Sequence, residues 1–310
     1  MADPIRNLDD LQVRLRQMVA AKGKVRAAIV GADDAVTMEA ISRAKGEGLI
    51  EVTLIGPGDT VRQQLERSVL SSDQVALIAS ETPERAAVEA AALASGGGAD
   101  ILVRGKIAAR ELLQGLFKAE AGFRRGKAIV SHVAVFDHDN YPRLLLLSDA
   151  AVNVEPDLAR KLAIIDNAVT VANRLSVTIP KVALLAAVEV IYPAMPVTME
   201  AAVIAKMADK GQIKNCRIDG PLSMDVAVLP EVARQKGAVS AVAGEANILI
   251  APNIETAAGV YKGMALFSGA KIAGAVIGGK VPIAFPSRCD SARNIFHALT
   301  LAAFLSLSGR

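Results

Sequence analysis

Ser287, Arg288 and Asp290 stand together in the run Val281-Pro-Ile-Ala-Phe-Pro-Ser-Arg-Cys-Asp-Ser291. Pro286 halts the apolar run before them, while Ile295, Leu299, Ala302 and Leu305 beyond them mark the apolar face of a helix. A helix's first turn offers unpaired N–H groups. With an arginine fork beside them, such groups suit a phosphate or the oxyanion of a reacting carbonyl. A structural reading also fits: Asp290 or Ser291 caps the helix and Arg288 is solvated. Arg104-Gly105-Lys106 form a second cationic cluster just after the strand-like Ile101-Leu-Val103, with Arg110, Arg124, Arg125 and Lys127 following. These positions suit a ligand carrying several phosphates, or form an ordinary basic surface.

Other motifs argue against common chemistries. Asp137-His-Asp139 reads as a solvated hairpin tip, because three adjacent side chains diverge and no distant partner completes a metal site. His132 is a candidate acid or base, or else a core histidine. Gly96-Gly-Gly98 precedes a strand instead of following one, and neither G-x-G-x-x-G nor a Walker pattern occurs. Cys216 and Cys289 fit no redox or metal spacing, which suits a reducing cytoplasm.

The elements that must position these residues alternate. Strands are predicted at 25–30, 52–55, 75–79 and 100–103, with helices between them; Asp33 or Asp34 is placed to cap the helix running to about residue 45. Strands at 128–136 and 143–147 enclose a polar loop and predict an antiparallel hairpin. Beyond Asp149 the rhythm resumes: helix 156–175, strand 182–187, helix 197–210, strand 216–218, helix 230–236, strand 248–250 and helix 254–267. Strands near 273–277 and 282–285 and a final helix at 291–307 complete it. This is an α/β chain of mainly parallel sheets with helices on both faces. Its 310 residues predict two domains, 1–150 with 281–310 and 151–280.

Composition narrows the function. The net charge of +3 and 3% aromatic content give no footing for nucleic acid. The richest apolar stretch, Val182–Val188, is broken by Glu189, well short of the ~20 residues a membrane helix needs. Residues 1–16 contain no apolar leader core, so a secretory signal is not expected.

Several segments resemble the phosphate acetyl/butyryl transferase family, especially its butyryl branch. They are Ala99-Asp-Ile-Leu-Val-Arg-Gly-Lys106, Gly126-Lys-Ala-Ile-Val-Ser-His-Val-Ala-Val-Phe136, Ser148-Asp-Ala-Ala-Val-Asn-Val-Glu-Pro-Asp157, Val182-Ala-Leu-Leu-Ala-Ala-Val-Glu-Val190 with Met195-Pro-Val-Thr198, Ile218-Asp-Gly-Pro-Leu-Ser-Met-Asp225, and Val281–Ser291. The resemblance implies two α/β domains of isocitrate/isopropylmalate dehydrogenase-like architecture with the active site in the interdomain cleft. It also implies a homodimer or higher homo-oligomer with no metal, no cofactor and no covalent intermediate; a cytoplasmic setting is expected from the cysteines, and no hydratase-like domain is expected. The implied reaction is acyl-CoA plus phosphate to acyl phosphate plus CoA, coenzyme A being substrate or product.

In that scheme Ser287 and Arg288 bind phosphate and stabilise the carbonyl, and a carboxylate takes the thiol proton. The acetyl branch's base aspartate is replaced here by Asn294, leaving Asp290 as the local carboxylate with Asp149 or Asp225 in reserve. Substrate contacts are implied for Arg104, Lys106, Arg110, Ser131, Asn253 and Glu255. Leu113 stands where the family has an arginine, and Ala257-Ala258 where it has Gly-Asn. Two alternatives stay open: a weakened member acting as a CoA or acyl-phosphate sensor, and a metal-dependent decarboxylating dehydrogenase on a related fold.

Overall fold

A computed structural model describes residues 5–70, 72–118 and 122–309. The chain divides into two compact units. A split unit comprises 8–128 and 271–310, and an inserted unit comprises 129–270 with the residues up to Asn7.

The split unit opens with α1 (Leu8–Lys22), β1 (Val25–Val30), α2 (Ala35–Gly46), β2 (Ile50–Gly56), α3 (Gly58–Glu66) and β3 (Val75–Ala79). It continues through α4 (Pro83–Ser95), β4 (Ile101–Arg104) and α5 (Ala109–Leu116). Five of the six residues of β1 are buried, as expected of a central parallel strand covered on both faces. Asp34 caps α2 by accepting from the Thr37 N–H, and Thr82 followed by Pro83 starts α4. The buried face of α4 is all alanine (Ala86, Ala87, Ala90, Ala91, Ala94), so α5 comes close. A Cβ at Gly115 of α5 would lie 2.5 Å from that of Ala87.

The inserted unit follows: β5 (Ser131–Asp137), β6 (Leu145–Ser148), α6 (Leu158–Arg174), β7 (Lys181–Leu185), α7 (Pro196–Asp209) and β8 (Arg217–Leu222). It closes with α8 (Met224–Val228), α9 (Pro230–Gln235), β9 (Ile248–Ile250) and α10 (Ile254–Gly263). Its strands run β5-β6-β9-β7-β8. β5 and β6 form the expected antiparallel hairpin, and the other pairings are parallel. The helix predicted at 254–267 is in two parts, α10 and a π-helical turn at Met264–Ser268.

The chain then returns to the split unit with β10 (Lys271–Ile277), β11 (Ile283–Ala284) and α11 (Ala292–Ser308). The strand order there is β3-β2-β1-β4-β11-β10, all parallel except β10 against β11. α11 is buried almost all round and packs on β10, α2 and α1, so it is a core helix. These divisions differ from the expected 150/151 and 280/281. The hairpin is drawn into the inserted unit because β6 pairs with β9, and β10 joins the split unit through β11, which pairs with β4.

Candidate active site

Because β1, β4 and β11 are adjacent and parallel, the loops after them emerge on one edge of the split unit. Ligands in α/β sheets gather at such an edge. The loops after β1 and β4 are pressed together: the Gly105 N–H donates to Val30 O at 2.9 Å and the Lys106 N–H to Gly31 O at 2.7 Å. Gly105 is required there, since a Cβ would fall 2.2 Å from the Gly31 oxygen. Gly31 has φ +77°, a conformation that favours glycine.

Arg104, at the end of β4, is buried beneath this edge. Its Nε donates to Ile107 O at 3.0 Å and its Nη1 to Pro286 O at 2.9 Å, and the guanidinium carbon lies 4.8 Å from the centre of the Phe285 ring. The arginine expected to hold substrate thus braces the β4 loop against the Ser287 loop. Lys106 and Arg110 are exposed, just beyond β4 and at the start of α5. Of the remaining basic residues, Arg124 donates to Phe117 O at 3.4 Å and Arg125 to Lys280 O at 3.4 Å.

The Ser287 loop is held from below. Asp290 is buried, and its Oδ2 accepts the Ser287 N–H at 2.7 Å while its own N–H donates to Ser287 O at 3.1 Å. That reciprocal turn presents half-buried Ser287 and exposed Arg288 ahead of α11. The Cys289 thiol donates to Ser287 Oγ at 3.3 Å, and Ser291 caps the helix through the Asn294 N–H. Asn294 itself is buried, with its Oδ1 accepting the Ile272 N–H at 3.1 Å. The position expected to have lost a base therefore ties α11 to β10.

Sequence reasoning treated Asp33 and Asp34 as interchangeable caps. They are not equivalent. Asp34 Oδ1 takes the Thr37 N–H at 2.9 Å. Asp33 is half-buried and does not cap the helix; its Oδ1, like Asp34 Oδ2, is sealed from solvent without a hydrogen bond from any described residue. Burial pushes the Asp33 carboxyl above its ordinary range, and the charge of Lys106 pulls in the opposite direction. The available signal was the doubled aspartate at a strand-to-helix junction, where one residue suffices as a cap.

The other expected contacts lie in the inserted unit. Ser131 is fully buried, and its Oγ accepts from Asn167 Nδ2 at 2.9 Å, bracing β5 against α6. Asn253 caps α10, its Oδ1 accepting from the Thr256 N–H at 3.0 Å and from Thr256 Oγ1 at 2.7 Å. Glu255 is exposed in the first turn of that helix. The reserve carboxylates are engaged too. Asp149 accepts from the backbone N–H groups of Ala151, Val152 and Asn153 at 2.9 to 3.1 Å, and from Asn153 Nδ2. Asp225 accepts from Ser223 Oγ, which also contacts Glu189, and Lys236 bridges both carboxylates at 3.2 and 3.4 Å. His132 is buried against Tyr261, with ring centres 6.0 Å apart. His138 sits in the hairpin loop, where its Nδ1 accepts the Asn140 N–H, leaving Nε2 to donate to Ser268 O at 3.0 Å. Among the described residues no group of three or more His, Cys, Asp or Glu is arranged to hold a metal ion, and no helix is long and apolar enough to cross a membrane.

Residues 77–303 match the family model for phosphate acetyl/butaryl transferase. The chain belongs to that family. It is 36% identical over 301 residues to a phosphate butyryltransferase of Clostridium beijerinckii, covering 97% of this chain and 98% of the relative. It is 39% identical over 292 residues to a phosphate acetyltransferase of Thermotoga maritima, at 94% and 98% coverage. The crystal structure of a branched-chain phosphotransacylase from Enterococcus faecalis superposes with a TM-score of 0.79 and 29% identity, covering 91% of this chain and 99% of that one. As a phosphate acetyl/butaryl transferase family member the chain is an acyltransferase by class, and the Ser287–Arg288 segment lies inside the matched region. The α/β architecture read from the sequence stands with it.

Proposed function

We propose that this protein interconverts a short- or medium-chain acyl-CoA and phosphate with the acyl phosphate and free coenzyme A. The observation that carries this reading is the Ser287–Arg288 loop: a hydroxyl and a guanidinium presented at the start of a buried helix, fixed by Asp290 below and by Arg104 at its base. In this scheme Arg288 and the first-turn N–H groups of α11 receive the phosphate, and Ser287 Oγ donates to the carbonyl oxygen as it gains charge. Because the loop's backbone is already held, little reorganisation is required when the tetrahedral centre forms. Lys106 and Arg110 extend the cationic edge toward the phosphates of coenzyme A. Coenzyme A enters as substrate or product, and no resident cofactor is invoked. A cytoplasmic setting and a homodimeric state belong to the same proposal.

Purified protein given acetyl-, propionyl- or butyryl-CoA should release free thiol only when phosphate is present. The Arg288→Ala variant should turn over at least ~10²-fold more slowly, the scale on which oxyanion-site losses act. Thiol release that ignores phosphate, or an unaffected Arg288→Ala rate, would overturn the proposal.

A further inference from the structure

The transfer proposed above needs a group to take the coenzyme A thiol proton, since a free thiol titrates near ~8.5 and is mostly protonated at neutral pH. In the split unit Asp290, the local carboxylate, and Asn294, at the position of the family's base, are both engaged by the backbone. Asp290 accepts the Ser287 backbone N–H from beneath, and Asn294, an amide, accepts the Ile272 N–H. Asp34 caps α2. Asp33 remains on the same edge. Its loop is pinned to the β4 loop through Gly31 O and Lys106 N, it is not the cap of α2, and one of its carboxylate oxygens, like one of Asp34, is enclosed without a hydrogen bond.

The β1 and β11 loops are separated only by that of β4, so they emerge about two strand spacings, roughly 10 Å, apart. That span accommodates a carbonyl carbon with its two exchanging groups, phosphate toward Arg288 and sulfur toward Asp33. The charged groups acting on Asp33 are Lys106 from the β4 loop and Asp34 on its own loop. We propose that Asp33 is the proton acceptor for the coenzyme A thiol. This assignment rests on the acyl-transfer reading.

In the direction of acyl-CoA synthesis, the S–H proton passes to the Asp33 carboxylate as sulfur donates its electron pair to the carbonyl carbon. The tetrahedral centre collapses, and the C–O bond to phosphate breaks with its electron pair on the phosphate oxygen. The proton on Asp33 then passes to the departing phosphate, so acyl phosphate and thiol become thioester and hydrogen phosphate with no net gain or loss of protons. A half-buried carboxyl, raised above its ordinary range by desolvation, is better matched to this exchange than an exposed one.

The test is the pH profile of kcat/KM for coenzyme A in wild type, Asp33→Asn and Asp33→Glu, with acetyl and butyryl phosphate as acyl donors. Asp33→Asn should lose at least ~10²-fold at pH 7, the lower range for removing a general base. The acidic limb should vanish, and the deficit should shrink about tenfold per pH unit toward ~8.5 as solvent ionises the thiol instead. Asp33→Glu should keep an acidic limb, displaced in pH, which decides the matter should Asp33→Asn fail to fold. A folded Asp33→Asn enzyme with a wild-type profile, or an Asp33→Glu limb that does not move, would overturn the assignment while leaving the transfer reading intact. Wild type without acyl-phosphate-dependent turnover would instead overturn the transfer reading itself.

Discussion

Asp290 and Asp149, the carboxylates read in sequence as possible bases, and Asn294, the amide at the family's base position, all serve the backbone in the fold. Asp290 and Asn294 each accept a backbone N–H within the split unit, and Asp149 accepts three within the inserted one. A side chain that satisfies a backbone donor sets loop geometry, and its removal leaves that donor unpaired at a cost of about 1–3 kcal/mol. Asp290→Ala should therefore lower the melting temperature and cut turnover at least ~10-fold, through misplacement of Ser287, while the acidic limb of the pH profile stays where it was. Melting curves and pH-rate profiles on one preparation check both. Loss of the acidic limb in Asp290→Ala would return the base role to that residue. Arg104 follows the same logic, because its donors reach Ile107 O and Pro286 O. None of this was legible from residue type. A carboxylate five residues ahead of an apolar helical stripe is equally compatible with capping, bracing and chemistry until its partner is known.

At the scale of elements, legibility followed the strength of the hydrophobic pattern. β1 and β2 fell close to where their β-branched and aliphatic runs placed them, and so did the hairpin, since buried strands need little but apolar side chains. The residues up to Arg16 read in sequence only as a charged amphipathic segment; in the fold they belong to α1, whose stripe of Leu8, Leu11 and Leu15 is fully buried. That helix matters for the last one. Gln12 of α1 meets His297 of α11 at 3.2 Å, and burial pushes His297 down to about 4.

The folded histidine stays neutral while an unfolded one takes up a proton near its ordinary ~6.5. Stability should accordingly be full above about pH 6.5 and decline as pH falls toward 4, by up to about 3 kcal/mol from this group. Thermal melts of wild type and His297→Gln across pH 4–7 test this. The wild type should lose stability more steeply on the acid side, and parallel curves would refute the assignment. A second element-level prediction concerns the α4–α5 contact: Gly115→Ala places a methyl 2.5 Å from Ala87 Cβ. Overpacking of this kind costs about 1–3 kcal/mol, visible as a lower denaturation midpoint in urea.

For the whole molecule, the alternation of strands and helices read from the sequence corresponds to a mixed, mostly parallel α/β arrangement whose strands are divided between two compact units. Their boundaries were less legible, because membership is decided by pairing partners and not by the chain's own pattern. The hairpin follows the helix-rich first half in sequence but pairs with β9, 102 residues further on, where Leu146 meets Ile248. β11 is only two residues long, yet it connects the Ser287 loop to the edge carrying Gly31 and Lys106. Site residues inferred by family resemblance divided along the same line: Ser287, Arg288, Asp290, Arg104, Lys106 and Arg110 belong to the split unit, and Ser131, Asn253 and Glu255 to the inserted one.

The central claim is acyl transfer between coenzyme A and phosphate, and phosphorus NMR of a reaction holding protein, butyryl-CoA and inorganic phosphate tests it most directly. An acyl-phosphate resonance growing in step with free thiol, one for one, is the predicted result. Thiol without acyl phosphate, which would be hydrolysis, or neither product would contradict it.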